Sequence, residues 1–226
     1  MNKIFKVLVC LFCASHSIAF AQHKTRVEVE AGANLSSFTG TGLSPLPSKN
    51  KGMKLGYQLG ISVSQPIGRH WVIQSGLSLI QKTSEAKLGV YYHDMKPVWR
   101  YPRVQSRINY LMIPVTLGYD FCLSPKLHLI PNAGIYTAYG FNAGSCDIES
   151  KEASNQNVNT TQWKPLKGDP FLNSFSKYDY GISIGLKSRI GQHYTVSFNY
   201  LLGLKKLNNQ YDLRNSTCQL SVGYLF

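Results

Sequence analysis

The sequence lacks a long apolar run. Beyond the N-terminus, no stretch of about 18 or more apolar residues occurs among its 226 residues, which excludes a helical channel or transporter. Acidic residues are also scarce, with 11 Asp and Glu against 24 Lys and Arg. Charged residues make up only 15% of the chain while aromatic residues reach 12%, which is atypical of a disordered basic tail.

The first 21 residues have the features of a secretory signal peptide. Lys3 and Lys6 form a positive segment, residues 7–14 are apolar, and Ala19-Phe20-Ala21 resembles a cleavage site. We therefore predict a cleaved signal peptide at 1–21 and a mature domain at 22–226.

Cysteines are few in the predicted mature chain. They are Cys122, Cys146 and Cys218, and none of them belongs to a CxxC pair. This odd number at scattered positions predicts packing residues rather than a disulfide framework or a zinc site. We expect neither a metal nor a cofactor.

What the mature chain does contain is a hydrophobic period of two. Along residues 54–66, apolar side chains at odd positions alternate with glycine and polar side chains at even positions. Eight such segments occur, each about as long as a tilted membrane strand. They cover residues 25–38, 54–66, 71–84, 107–121, 127–141, 178–190, 193–204 and 219–226.

The connections between these segments alternate strictly between long and short. An even-stranded membrane barrel with short periplasmic turns and long outer loops gives this pattern. Aromatic residues at the strand ends form two girdles, as expected at the two bilayer interfaces. We predict an all-β fold, an eight-stranded antiparallel up-and-down transmembrane β-barrel in the outer membrane of a Gram-negative bacterium. The girdle residues are Trp71, Tyr119, Phe121, Tyr194, Tyr224 and Phe226 near the short turns, and Tyr57, Tyr139, Phe141, Tyr178 and Tyr180 near the long loops.

Three segments resemble a known family. Tyr110–Tyr119 resembles the Y-L-x-I-P strand of the small outer-membrane β-barrel domain common in Bacteroidetes, the PorT-like family. Asp179–Gly185 resembles its D-x-G-x-x-x-G strand, and Tyr200–Leu207 with Gly223–Phe226 resembles its closing hairpin. The resemblance implies a role in protein secretion. Separately, Phe226 with Tyr224 two residues before it resembles the C-terminal signal that the outer-membrane assembly machinery reads, and Phe226 fits equally as the last lipid-facing residue.

Two prolines are unusual for a strand. Pro114 and Pro131 fall in neighbouring predicted strands, and each removes a donor from the hydrogen-bond ladder. We expect a bulge or bend where these two strands meet.

The inward positions combine both signs of charge. Eight strands enclose an interior just wide enough for side chains, so we predict a filled lumen. Glu28 and Glu30 begin the first strand near the end at which Lys187 and Arg189 finish the sixth, and this predicts an ion-pair network within the lumen. Asp179 is assigned to the same polar network, and a proton or ion path is the alternative role.

Enzymes that trim or acylate lipid A also use small barrels. Among the histidines, only His93 in a long loop and His128 facing inward suit a Ser-His-acid arrangement, and neither lies in a motif. We predict that the protein is not an enzyme.

The long loops are predicted to carry the recognition surface. Basic residues outnumber acidic ones in them by roughly two to one, which favours contact with lipopolysaccharide phosphates, although a merely solvated charged loop fits as well. No nucleic-acid partner is expected for an exported chain. The long segment 142–176 contains Trp163, Phe171 and Phe175, which we assign to a lid over the barrel or to a docking site for another outer-membrane or periplasmic protein.

These features predict a scaffold or accessory subunit in a secretion or outer-membrane assembly complex. A porin-like or solute-binding barrel is the second hypothesis, and a lipid A-modifying enzyme is the third.

Overall fold

The computed structural model describes residues 25–39, 53–87, 103–150, 162–165, 176–206 and 214–226. The predicted signal peptide lies outside these residues. The described ranges contain no helix that is long and apolar enough to span a membrane. They form ten strands: β1 (Arg26–Thr39), β2 (Lys54–Ile67), β3 (Trp71–Lys87), β4 (Arg103–Tyr119), β5 (Phe121–Ser124), β6 (Leu127–Ser150), β7 (Gln162–Pro165), β8 (Tyr178–Ile190), β9 (Tyr194–Gly203) and β10 (Arg214–Leu225).

Eight of these strands form a closed antiparallel barrel. The order around the wall is β1-β2-β3-β4-β6-β8-β9-β10, and β10 pairs with β1 to close it. The short strands β5 and β7 both pair with β6, at its two ends. The predicted fold class is confirmed.

The barrel is apolar outside and polar inside. Along β2, Leu55, Tyr57, Leu59 and Ile61 are exposed, whereas the alternating Gly56, Gln58, Gly60 and Ser62 are buried. The outward residue Leu55 is 69% exposed. A continuous outward band of such side chains requires lipid rather than water around it.

Short turns lie at one end of the barrel, here named the turn end. The opposite end, here named the loop end, is where the described strands stop before the long connections of the sequence. Gly68 and Gly191 begin two of the short turns with φ of 65° and 64°. A residue with a side chain is strained in this left-handed conformation, so glycine suits both turns. The conformation of both turns therefore depends on a glycine that can be recognised in the sequence.

The structure interrupts the ladder at both prolines without a bulge at either of them. On the β3 side of β4, the pairs Gly76–Pro114 and Leu77–Ile113 are missing from an otherwise constant register. The Ser75 hydroxyl donates a hydrogen bond to the Pro114 carbonyl at 3.1 Å. Pro131 lies opposite the break between β4 and β5.

The strands β4 and β6 do have register shifts, but these occur between Ser106 and Tyr110, toward the loop end. The register shifts are therefore not at the prolines. A proline lacks the N–H of one ladder hydrogen bond, which leaves a gap in the pairing but does not require an extra residue.

A close backbone contact generates a first prediction. A Cβ added to Gly134 on β6 would collide with the carbonyl oxygen of Val115 on β4. Because backbone cannot yield as a side chain does, we expect Gly134→Ala to lower the free energy of unfolding by about 2 kcal/mol. Urea unfolding in detergent micelles measures it.

The matched control is Ala133→Val, which enlarges the neighbouring lipid-facing side chain. Its stability should remain close to that of the parent. Equal midpoints for Gly134→Ala and the parent would contradict the close approach of β4 and β6.

Candidate functional site

The lumen contains a layer of charged and polar residues near the turn end. Glu28 on β1 and Lys187 on β8 lie on nonadjacent strands, and Lys187 Nζ lies 2.7 Å from Glu28 Oε2. Lys187 Nζ also donates to Gln74 Oε1 at 2.8 Å, and the Thr195 hydroxyl donates to Glu28 Oε1. These bonds connect four strands through side chains that the alternation directs inward.

Glu30 has a weaker role in this layer. Its Oε2 accepts a hydrogen bond of 3.4 Å from the Ser221 hydroxyl, whereas Lys187 contacts Glu28. The two glutamates that the sequence analysis treated together therefore have different surroundings.

Arg189 belongs to a second cluster at the turn end. Its guanidinium lies 3.0 Å from Asp120 Oδ2, and His128 Nδ1 lies 2.7 Å from Asp120 Oδ1. The ion pair of Arg189 is therefore with Asp120 rather than with Glu28 or Glu30, although Arg189 lines the same cavity as Glu28 and Lys187. Sequence reasoning missed Asp120, although the lipid-facing Tyr119 and Phe121 on either side of it mark its position as inward.

Asp179 lies near the loop end, and its partner is Lys82. Lys82 Nζ is 2.8 Å from Asp179 Oδ2, and both side chains are at most 2% exposed. Asn215 Nδ2 donates to the same oxygen at 2.8 Å. Within the described residues, Asp179 Oδ1 has no hydrogen-bond partner.

Two aromatic rings surround the Lys82 ammonium. Its Nζ lies 5.2 Å from the ring centroid of Tyr110 and 4.9 Å from that of Tyr136. Attraction to the ring faces stabilises the buried cation in addition to its carboxylate. The alternation of apolar and polar residues could have identified Lys82 as an inward residue, since it lies on the same face of β3 as Gln74.

The two charged layers are well separated. Asp179 and Lys187 are eight residues apart on β8, which corresponds to about 26 Å along a strand. The assignment of Asp179 to the same network as Lys187 is therefore incorrect, and the lumen holds separate ion pairs.

Apolar side chains fill the lumen around the Lys82–Asp179 pair. Met112, at an inward position of β4, is one of them. A cavity of about 30 Å³ remains near the turn end, lined by residues that include Arg26, Glu28 and Lys187. This volume suits one or two water molecules. The apolar cluster, here named the plug, consists of Ile80, Ile108, Tyr110, Met112, Tyr136, Ala138 and Leu201.

The residues assigned to an assembly signal lie at the turn end of β10. Tyr224 and Phe226 are exposed on the lipid side, with ring centroids 5.0 Å apart. The Phe226 amide donates to the Val27 carbonyl at 2.9 Å. Their role in assembly stays a prediction.

The residues assigned to a lid or docking loop are only partly described. The backbone of Trp163 lies on β7 opposite Glu149 of β6. Phe171, Phe175 and His93 lie outside the described residues. In the described ranges, Cys122 and Cys218 are free thiols, and no group of three or more His, Cys, Asp or Glu side chains is placed to hold a metal ion.

Comparison with known proteins identifies the family. Residues 20–209 match the family described as outer membrane protein beta-barrel domain. The chain belongs to that family. As a member of this barrel family, it is placed in the outer membrane of a Gram-negative bacterium. A search of the curated proteins found no match.

Solved structures of other small outer-membrane proteins are similar to this barrel at low identity. Ail of Yersinia pestis is 14% identical, with 90% of this chain and 99% of Ail covered and a TM-score of 0.39. OprG of Pseudomonas aeruginosa is 11% identical, with coverages of 91% and 98% and a TM-score of 0.42. The outer membrane enzyme PagL is 11% identical, with coverages of 88% and 97% and a TM-score of 0.45. Similarity this distant carries no argument about function.

The unequal surroundings of the two glutamates in this barrel generate a second prediction. We expect Glu28→Gln to lower the free energy of unfolding by about 3 kcal/mol, because it leaves the buried Lys187 ammonium without its carboxylate. Thermal unfolding in detergent measures the change. Glu30→Gln is the matched control and should cost much less; equal losses would contradict the Glu28–Lys187 pair.

A double-mutant cycle tests the pair near the loop end. We expect Asp179→Asn to destabilise the barrel by about 3 kcal/mol, since Lys82 is then buried without an opposite charge. Adding Lys82→Met should recover part of that loss, because the pair is removed together. If the losses of unfolding free energy caused by Asp179→Asn and Lys82→Met alone add up to the loss in the double variant, the two residues do not interact. Urea unfolding measures these losses.

Proposed function

We propose that this protein is a non-enzymatic scaffold or accessory subunit of the outer membrane, acting in a secretion or assembly complex as its PorT-like resemblance implies. The observation that carries the proposal is a sheet that continues past the barrel wall. Pairing between β6 and β8 ends at Tyr139–Tyr178, yet β6 continues to Ser150, about 35 Å farther along the strand.

Three other strands accompany β6 in this extension. Lys87 of β3 pairs with Arg103 of β4, Arg103 pairs with Glu149 of β6, and Glu149 pairs with Trp163 of β7. Four strands thus lie side by side beyond the region in which β2 and β8 contribute to the wall. We name this four-stranded sheet the arm.

The arm is suited to binding another protein. Among the described strands, β7 pairs only with β6, so it forms an edge of the arm. An edge strand offers backbone donors and acceptors to a partner strand, and side chains add specificity. Trp163, with Phe171 and Phe175 nearby in the sequence, would supply those side chains.

The filled lumen supports a binding role over a transport role. Ligand sites usually measure about 300–1,000 Å³, whereas the cavity measures about 30 Å³. The plug and the buried Lys82–Asp179 pair occupy the interior near the loop end. Asp120 is shared by His128 and Arg189, which favours a structural ion cluster over a catalytic His-acid pair.

Basic side chains near the loop end fit a second contact, with lipopolysaccharide. Arg107 and Lys177 are exposed there, and Lys205 Nζ lies 5.5 Å from the ring centroid of Tyr178. We propose that these groups bind phosphates of the surrounding lipopolysaccharide. Export would follow cleavage after Ala21, so that the mature chain begins at Gln22.

Co-purification tests the accessory role. We expect a tagged copy, extracted from its native outer membrane in mild detergent, to run on a native gel as a defined complex whose other subunit is identified by mass spectrometry. The triple variant Trp163→Ala, Phe171→Ala and Phe175→Ala should lose that subunit. The control Tyr178→Ala and Tyr180→Ala, which removes lipid-facing rings, should retain it.

A barrel that runs alone with lipopolysaccharide would contradict the accessory role. Ion conductance in a planar bilayer, compared with a known porin, would then favour a solute pathway, and a mass change in lipid A would favour an enzyme.

A further inference from the structure

The barrel contains the same turn twice. Gly68-Arg69-His70-Trp71 joins β2 to β3, and Gly191-Gln192-His193-Tyr194 joins β8 to β9. Both turns begin with a left-handed glycine, continue through one polar residue to histidine, and end on an aromatic residue that starts the next strand.

The strand that follows each hairpin also ends in the same way. β4 leads into Gly118-Tyr119-Asp120-Phe121, and β10 leads into Gly223-Tyr224-Leu225-Phe226. Both segments read Gly-Tyr-x-Phe, and both lie at the turn end.

The contacts of the two units coincide ring by ring. The His70 ring stacks on Tyr119 at 5.3 Å, and the His193 ring stacks on Tyr224 at 5.3 Å. Tyr119 meets Trp71 edge-on at 5.2 Å, and Tyr224 meets Tyr194 edge-on at 5.7 Å. Each tyrosine also contacts the phenylalanine two residues later, at 4.7 Å in the first unit and 5.0 Å in the second.

The backbone hydrogen bonds coincide as well. The Asp120 amide donates to the His70 carbonyl at 2.7 Å, and the Leu225 amide donates to the His193 carbonyl at 2.7 Å. In the sheet, Trp71 pairs with Tyr119 just as Tyr194 pairs with Tyr224. The strands β2-β3-β4 and β8-β9-β10 are therefore two copies of one three-stranded unit.

The repeat extends into the strands and has a clear limit. With the two turns superposed, Tyr57 corresponds to Tyr180 and Leu79 to Leu202. The correspondence stops at β1 and β6.

Interfacial anchoring alone does not explain this repeat. A bilayer interface favours aromatic rings at the correct depth, in any order along the chain. It does not require the order Gly-Tyr-x-Phe twice, each time beside a histidine turn of the same conformation. A binding partner that reads a sequence along one strand does require such an order.

The end of β4 has the chemistry of the end of β10. A partner that captures a strand does so through backbone hydrogen bonds at its own free edge and through sites for alternate side chains. Tyr119 and Phe121 present the same pair of lipid-facing rings as Tyr224 and Phe226. The edge of β4 toward β6 also lacks two ladder pairs, Tyr119–Pro131 and Asp120–Ile130.

We propose that Val115–Phe121 is a second recognition segment for the assembly machinery that captures Leu220–Phe226 of the closing strand. The machinery would engage the end of β4 before β6 pairs with it, and would engage β10 later. The inference rests on the predicted signal at Tyr224 and Phe226, and it is independent of the accessory role proposed above.

Peptide competition tests the segment apart from barrel stability. The full mature chain is inserted, from urea, into native outer-membrane vesicles that hold the assembly machinery, and the folded fraction is measured by its faster migration in unheated gels. A synthetic Val115–Phe121 peptide should slow insertion, as should the Leu220–Phe226 peptide. The Val115–Phe121 peptide carrying Tyr119→Ala and Phe121→Ala should be weaker by about tenfold.

Either of two results would overturn the proposal. Inhibition by the Leu220–Phe226 peptide alone would show that only β10 is read. Equal inhibition by the Val115–Phe121 peptide and its doubly substituted form would show that the rings are not recognised.

Variants of the full chain provide an independent measurement. Tyr119→Ala with Phe121→Ala should slow insertion into the vesicles about tenfold more than it slows unassisted folding into pure lipid. Trp71→Ala, which removes a ring from the same cluster but not from the segment, should slow both reactions equally. Equal slowing of both reactions by the double variant would assign Tyr119 and Phe121 a structural role only.

Discussion

Hydrocarbon offers no hydrogen-bond partner, so every backbone N–H and C=O within the bilayer must be paired by a neighbouring strand. This constraint explains the closure of β10 onto β1 and of β4 onto β6. It also explains why both prolines are tolerated only at interruptions of the ladder. At Pro114 a serine hydroxyl contacts the carbonyl beside the gap, and at Pro131 the facing strand itself breaks.

Closure with only eight strands then determines the chemistry of the interior. The lumen has little room for water, so charges buried within it are stabilised by partners of opposite sign. Lys187 has Glu28, Lys82 has Asp179 and two aromatic rings, and Arg189 has Asp120. Since each pair joins strands that are not neighbours, the pairs fix the cross-section of the barrel.

Sequence alternation could predict the wall because each residue faces either lipid or lumen. β8 was predicted at its observed bounds, and β2 to within one residue. Alternation placed Glu28 and Lys187 inward at the same end of the barrel, and these two residues do meet. It could not separate Arg189 and Asp179 from them, since the partner of each charge depends on shear and on depth. Asp179 and Lys187 share an inward face but lie at opposite ends of β8. Asp120 was missed, although its neighbours Tyr119 and Phe121 were assigned to the lipid face.

The sequence analysis did not predict the arm, and the physical reason is a different one. Alternation of apolar and polar residues marks a strand only where one face meets lipid. Beyond Tyr139 and Ile80, β6 and β3 leave their barrel neighbours β8 and β2, and their outer parts were assigned to loops. Their pairing is visible only when the register of β4 is traced past the barrel.

The two ends of the barrel differ in symmetry, and this difference bears on function. At the turn end, two equivalent clusters lie four strands apart in an eight-stranded wall, which places them on opposite sides of the barrel. At the loop end, the extension of β3, β4 and β6 with β7 occurs on one side only. A repeated surface suits a partner that acts on successive parts of the chain. A single asymmetric surface suits one stable partner per barrel, so assembly and the mature role would use opposite ends of the molecule.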